Sequence, residues 1–129
     1  MTVSTGYVHE TADVASSASI AAGAKVWHYA QIRENAQIGA NVIVGRGAYV
    51  GTGVEIGDNC KIQNYALVYE PAKLGRGVFI GPAVVLTNDH FPRAINADGT
   101  PSRPTTGTRW ASTSVRVHRS EQAARASLP

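Results

Sequence analysis

Residues 38–57 read Ile38-Gly39-Ala40-Asn41-Val42-Ile43-Val44-Gly45-Arg46-Gly47-Ala48-Tyr49-Val50-Gly51-Thr52-Gly53-Val54-Glu55-Ile56-Gly57. An aliphatic residue stands at Ile38, Val44, Val50 and Ile56, a glycine follows each, and a small residue comes four places on, at Val42, Ala48 and Val54. Outward from this stretch the aliphatic series runs unbroken from Val8 to Leu86, fourteen positions at a spacing of six. The second series holds only Ala, Val and Cys from Ala12 to Val84, and His90 breaks it. Glycine follows the aliphatic residue again at Gly75 and Gly81.

Six residues do not return to one face of a helix with 3.6 per turn. A single long strand would alternate with period two. A short strand and a corner, repeated, satisfy the spacing, with every sixth side chain pointing into a common interior. Glycine after the strand suits a corner that needs permissive backbone angles and close approach. The outward positions (Glu10, Lys25, Arg33, Glu34, Arg46, Asp58, Lys73) are mixed, which argues against a flat ice-binding array of threonines.

This pattern resembles the hexapeptide-repeat family. The resemblance implies an all-β fold, a left-handed parallel β-helix in which three strands, or three repeats of six, make one coil. The ordinary rule for parallel crossovers would have given the right-handed form, so the handedness rests on the resemblance. Residues 1–7 are then a lead-in and 8–91 the β-helix, roughly 20 Å tall at about 4.8 Å per stacked strand. Residues 92–101 form a protruding loop and 102–129 a basic tail of different character, expected to be disordered.

The composition narrows the function. The chain has 129 residues, 43% hydrophobic and 16% charged, enough for one domain. One cysteine excludes a disulfide framework and suits a reducing compartment. No apolar run reaches the roughly 18 residues of a membrane span, and no signal-peptide order opens the chain. A cytoplasmic protein is expected. The formal charge of +3 belongs to the end: residues 99–129 hold five arginines and only Glu121, whereas residues 1–98 hold seven Lys/Arg against eight Asp/Glu. A nucleic-acid binder needs its basic face on the folded body, so none is expected here.

After Leu86 the repeat stops at Thr87-Asn88-Asp89-His90-Phe91-Pro92-Arg93, and Asp98-Gly99 marks a turn. Loops on a rigid scaffold are the usual home of functional residues. The segments Val26-Trp27-His28-Tyr29, Cys60-Lys61-Ile62-Gln63-Asn64 and Gly81-Pro82, with Thr87-Asn88 and Pro92-Arg93, resemble bacterial sugar-nucleotide 3-N-acetyltransferases over about residues 7–95. That likeness implies transfer of acetyl from acetyl-CoA to the 3-amino group of a UDP- or dTDP-linked amino sugar, in surface lipopolysaccharide synthesis. It also implies a homotrimer with substrate clefts between subunits.

In such enzymes the asparagine matching Asn88 holds the sugar amine. An amide oxygen accepts a hydrogen bond but is not a base, so a partly neutral amine or the leaving thiolate would settle the proton. His90 offers a general base instead, or simply fills a broken corner. His28 packs beside Trp27 or reaches substrate. Gln63 and Asn64 face sugar or pair between coils, Tyr69 stacks on a base or covers the coil, and Arg93 belongs to the loop motif. The Gly45-Arg46-Gly47 string is not a phosphate loop, because no helix follows it to supply an anion site. A zinc centre needs converging ligands, and His9, His28, His90 and His118 give no convincing trio, so no metal is expected. A β-helix without activity, serving assembly alone, and another hexapeptide O- or N-acyltransferase stay open as alternatives.

From Pro101 to the end the composition is mostly Arg, Ser, Thr, Ala and Pro, and no register of six survives. A GC-rich coding choice for residues 104–110, shifted by one base, reads Ala-Asp-Asp-Trp-His-Pro-Val, which resembles the family's return into the helix. The tail is therefore expected to be an out-of-frame product, against the reading of a natural disordered basic tail. In these relatives the pantetheine arm lies towards coils beyond the loop. Loss of that positioning can forfeit about 7–11 kcal/mol of barrier reduction, so little turnover is expected of the chain as written, and its open end is expected to be sticky.

Overall fold

The computed structural model describes residues 2–3, 6–88, 93–101, 113–117 and 124–127, with backbone alone for residues 2–3 and for the last two stretches. All elements are strands, most of two residues: β1 Thr2–Val3, β2 Tyr7–Val8, β3 Asp13–Val14, β4 Ser19–Ile20, β5 Lys25–Val26 and β6 Gln31–Ile32. β7 Gln37–Ile38, β8 Ile43–Val44, β9 Tyr49–Val50, β10 Glu55–Ile56, β11 Lys61–Ile62 and β12 Leu67–Val68 follow. β13 Ala72–Leu74, β14 Phe79–Ile80, β15 Val85–Leu86, β16 Thr113–Val117 and β17 Ala124–Ser127 complete the order.

Every third strand stacks in register. Sheet one runs β1-β4-β7-β10-β13-β16-β17, sheet two β14-β11-β8-β5-β2, and sheet three β15-β12-β9-β6-β3. From Tyr7↔Lys25 to Val68↔Leu86 the parallel partners keep one constant offset, three repeats of six. The chain is thus a parallel β-helix of three-strand coils, as the spacing of six demands.

Both ladders form the core. From β2 to β15 the first side chain of each two-residue strand faces out and the second in. The small residue just before the strand also turns inward, at a corner too narrow for bulk. From Ala18 to Ile80 every member of both series is buried. Val8, Ala12, Val14 and Leu86 pack against this core only in part, and Val84, beside the last described strand of sheet three, is 38% exposed. Burying such side chains contributes about 1.5–3 kcal/mol each for the branched ones, and it is repeated layer by layer.

The corners correct one expectation. The glycine that follows a strand is not where the backbone turns left-handed. Positive φ falls two residues later, at Gly23, Tyr29, Asn35, Asn41, Gly47, Gly53, Asn59, Tyr65, Gly77 and Ala83. At Gly39, Gly45, Gly51 and Gly57 the first glycine serves close approach: a Cβ on Gly57 would stand 2.8 Å from the backbone nitrogen of Arg76 in the next coil.

Among the described residues β14 and β15 end their sheets, whereas β13 is covered. β16 pairs parallel with it, Leu74 opposite Val115, and β17 folds back antiparallel on β16. Residues 93–101 make a small turn closed by a bridge between Ile95 and Pro101.

Candidate functional site

The corners stack into edges, and two edges border sheet three. The first, between sheets two and three, consists of corners 9–11, 27–29, 45–47, 63–65 and 81–83. It is aromatic. The His9 and His28 rings stack at 3.6 Å, and Tyr7 lies 5.4 Å from Trp27, which runs parallel to His28 at 6.4 Å. Backbone bonds tie the layers: Gly47 N–H donates to His28 O at 2.9 Å and Tyr65 N–H to Arg46 O at 2.8 Å. Thr11 Oγ1 accepts from Tyr29 N–H at 3.0 Å, and Asn64 Oδ1 accepts from Arg46 N–H at 2.9 Å.

The second edge, between sheets three and one, holds corners 15–17, 33–35, 51–53 and 69–71, with Thr87 and Asn88 above them. It is acidic. Arg33 reaches Asp13 at 3.0 Å and Glu34 at 2.8 Å. The hydrogen bond from Arg33 holds the Glu34 carboxyl below its ordinary range, with its own backbone adding to it. Tyr49 and Tyr69 meet at 5.2 Å, and burial first, then Glu70 and Tyr69, push the Tyr49 hydroxyl up, so it stays protonated at neutral pH. The Glu70 carboxylate occupies the notch left by Gly51, where a Cβ would run into Oε1. Half-buried Asn88 donates from Nδ2 to Glu70 O at 2.6 Å.

The residues singled out by sequence divide between these edges. His28, Gln63 and Asn64 lie on the aromatic edge; Tyr69 and Asn88 lie on the acidic edge, across sheet three. Within one chain they do not meet, because β12 separates residues 63–64 from Tyr69. Asn64 forms no amide pair through its oxygen, which caps the Arg46 backbone instead. Tyr69 covers Tyr49. Arg93 is exposed at the start of the turn, with no ion pair among the described residues, and His90 lies outside the described residues. Among the described residues no three His, Cys, Asp or Glu side chains gather as a metal set, and no helix is long and apolar enough to cross a membrane. Cys60 is buried, its thiol pushed up by desolvation and donating to Gly75 O at 3.0 Å.

Sequence reading missed Tyr29, Arg46 and Tyr65. The signal was the third corner position, where glycine or asparagine is the rule and tyrosine stands twice.

Coils of three short strands, two inward ladders and side chains gathered on stacked corners define a β-helix of hexapeptide repeats. The chain belongs to the bacterial transferase hexapeptide family, whose six-repeat description matches residues 17–52 and 53–88, more than half of its length. No curated protein matches it significantly. Among solved structures it is similar to a histidine-to-asparagine variant of perosamine N-acetyltransferase from Caulobacter crescentus, in complex with CoA and GDP-perosamine. Identity there is 23%, over 62% of this chain and 44% of that one, with a TM-score of 0.43. It is also similar to PerB from the same organism, in complex with the same ligands, at 13% identity over 65% and 49% with a TM-score of 0.34. The chain spans less than half the length of both, and likeness at this level does not define its activity.

Proposed function

We propose that the chain is an acetyl-CoA-dependent N-acetyltransferase acting on a nucleotide-linked amino sugar, with Asn88 holding the amine. Family membership supports a transferase. The observation that carries the reading further is the 2.6 Å bond from Asn88 Nδ2 to Glu70 O. A side-chain amide that gives its nitrogen to a carbonyl keeps its oxygen as the acceptor. Asn88 is thereby oriented to receive an N–H from an incoming amine rather than to donate to it.

The reaction balances simply. The neutral amine attacks the thioester carbonyl, a C–N bond forms as the C–S bond breaks, and the amine proton passes to the departing thiolate. Asn88 contributes orientation of the lone pair, which is where most of the gain lies when two reactants must be held in register. His90, two residues on, relays that proton from the amine to the thiolate in the same reading, and Arg93 neutralises an acidic group of the sugar. The division of candidate residues between two edges is resolved by a homotrimer, in which the aromatic edge of one subunit faces the acidic edge of the next across the substrate.

The test is CoA thiol release from acetyl-CoA in the presence of UDP-, dTDP- and GDP-linked amino sugars. Slow release above the thioester's own hydrolysis with one of them, lost in Asn88→Ala, is the expected result. No release with any of them, from a protein that sediments as a folded trimer, overturns it.

A further inference from the structure

Three residues with a Cβ on the aromatic edge, Tyr29, Tyr65 and Ala83, hold a backbone conformation that L side chains avoid, and two of them are tyrosines. Tyr29 has φ 59° and Tyr65 φ 60°, where seven equivalent corners use glycine or asparagine. The left-handed region costs roughly 1–2 kcal/mol for a residue with a Cβ, and asparagine relieves part of that by local hydrogen bonding. Tyrosine relieves none of it. Such strain clusters where a side chain has work to do, but Ala83 carries it with only a methyl group, so for the tyrosines it is their contacts that decide.

What the two side chains do is visible. Both are more than half exposed, so neither serves the core. They converge on Arg46, which lies on the coil between them. Its guanidinium carbon stands 5.4 Å from the centre of the Tyr29 ring, a cation–π distance. Its Nε donates to the Tyr65 hydroxyl at 3.1 Å. The Tyr65 ring lies over Gly47, in the space a Cβ there would fill, and the Arg46 backbone is fixed by Asn64. An exposed arginine normally carries about 2 kcal/mol of rotamer entropy. This one is held at its backbone, Nε and face, while its two terminal nitrogens meet no carboxylate among the described residues.

Sheet two beside it adds positive charge, while Glu10 stands two coils below Arg46 on the same edge. Sheet two presents Tyr7, Lys25, Ile43, Lys61 and Phe79 outward in one register. Lys25 and Lys61 flank the edge, and neither forms an ion pair among the described residues. Elsewhere Arg33 and Lys73 are paired with Asp13, Glu34 and Glu55. Next to this cationic strip stand the exposed rings of Tyr7 and Trp27. A fixed fork of N–H donors recognises phosphate in bidentate fashion, and open aromatic faces take a planar base by stacking.

We infer that the Tyr29–Arg46–Tyr65 clamp is a binding site for a nucleoside phosphate, with the phosphate on Arg46 and the base on the Tyr7–Trp27 surface. The phosphate is gripped by a side chain and not by a backbone cradle, which is why the glycine string around Arg46 does not betray it. The inference rests on the proposed function only for the source of the ligand. Two sources share the chemistry: the nucleoside diphosphate of a sugar nucleotide, and the adenosine bisphosphate end of CoA.

Calorimetric titration of the full chain with UDP, dTDP, GDP and CoA, each alone, separates them. One of the four is expected to bind. Arg46→Gln is expected to weaken that binding about tenfold or more. Tyr65→Phe, which keeps the ring and removes the hydroxyl, is expected to weaken it about threefold with the melting temperature unchanged. Lys73→Gln on sheet one is the control and leaves it as it was. Binding of the nucleoside diphosphates assigns the clamp to the sugar nucleotide; binding of CoA alone assigns it to the acyl donor. Binding of none of the four, or an unchanged Kd in Arg46→Gln, overturns the clamp. Acetyl transfer with an unchanged KM in Arg46→Gln sinks the clamp and spares the proposed function. Arg46-dependent binding without transfer does the reverse.

Discussion

The two edges that border sheet three are built on the same corner and end in opposite chemistry. Each turns at a residue with positive φ, one coil above the last, and each is tied coil to coil by backbone and hydroxyl bonds. On the aromatic edge the third corner position carries Tyr29, Gly47, Tyr65 and Ala83; on the acidic edge it carries Asn35 and Gly53. The acidic edge therefore uses the residue types that best tolerate the turn and carries Asn88, the residue proposed to hold the amine, above them. The aromatic edge places its function in the corner itself, at the expense of local stability. A repeat fixes where side chains go, and the departures from its preferred residue types mark what they are for.

The largest expected difference between the edges is kinetic. Asn88→Ala should lower kcat by about 100-fold with little change in KM for the sugar nucleotide, since it removes orientation of the attacking amine. Arg46→Gln should instead raise KM for whichever ligand the clamp holds and leave kcat near its original value. Steady-state CoA release decides between these signatures, and an identical response to both substitutions would dissolve the distinction between the edges.

A smaller difference lies in the glycines. Gly47 and Gly53 have φ of 68° and 70°, yet a Cβ on Gly47 would run into the Tyr65 ring while one on Gly53 meets nothing within 4 Å. Gly53→Ala should cost about 1 kcal/mol, the left-handed penalty alone. Gly47→Ala should cost about 1 kcal/mol more, because the ring must also shift. Equal losses in denaturant titration would mean that Tyr65 moves aside freely. Tyr29→Asn should go the other way, stabilising the fold by about 0.5 kcal/mol, because relief of the strain outweighs the missing cation–π attraction. It should weaken ligand binding at the same time, and a variant gaining stability at full affinity would show that the strain is idle.

The smallest effect belongs to the acidic edge and to pH. Arg33 holds Glu34 below its ordinary carboxylate value, so the folded state binds this proton less readily than the unfolded one. The contribution is present above the ordinary value and is lost as pH falls through the lowered one. Between about pH 6 and about pH 3 the melting temperature of the native chain should fall slightly further than that of Glu34→Gln, by a degree or less for so exposed a pair. A larger drop in the variant would reverse the assignment.

The coil was legible because its determinants are short-range and repeated. An inward aliphatic or small residue every sixth position can be counted, and each buried hydrophobic residue from Ala18 to Ile80 was countable in that way. The corner conformation was half legible: glycine signalled a close approach, but the left-handed turn sits two residues later, where Asn35, Asn41 and Asn59 do the same task with different chemistry. Asn88 stood out because it follows the last member of the ladder. Its bond to the Glu70 carbonyl did not, since backbone acceptors leave no trace in a side-chain pattern. The clamp around Arg46 was hidden for a related reason. Its partners come from coils before and after it, and only stacking brings Tyr29 and Tyr65 to one arginine.

The pairing of β16 with β13 has a consequence for how the molecule assembles. Ile56 meets Leu74 after one turn of the coil, but Leu74 meets Val115 only after a span more than twice as long. Loop closure over the longer span is dearer by only about 0.7 kcal/mol, since the entropy grows with the logarithm of length. It is nevertheless a different kind of event: the coils can zip from any nucleus by nearest-neighbour steps, whereas the hairpin of β16 and β17 must find a rung already made. The hairpin is thus a late arrival on a finished scaffold, a detachable cap whose departure would bare one sheet end and leave the zipped coils standing.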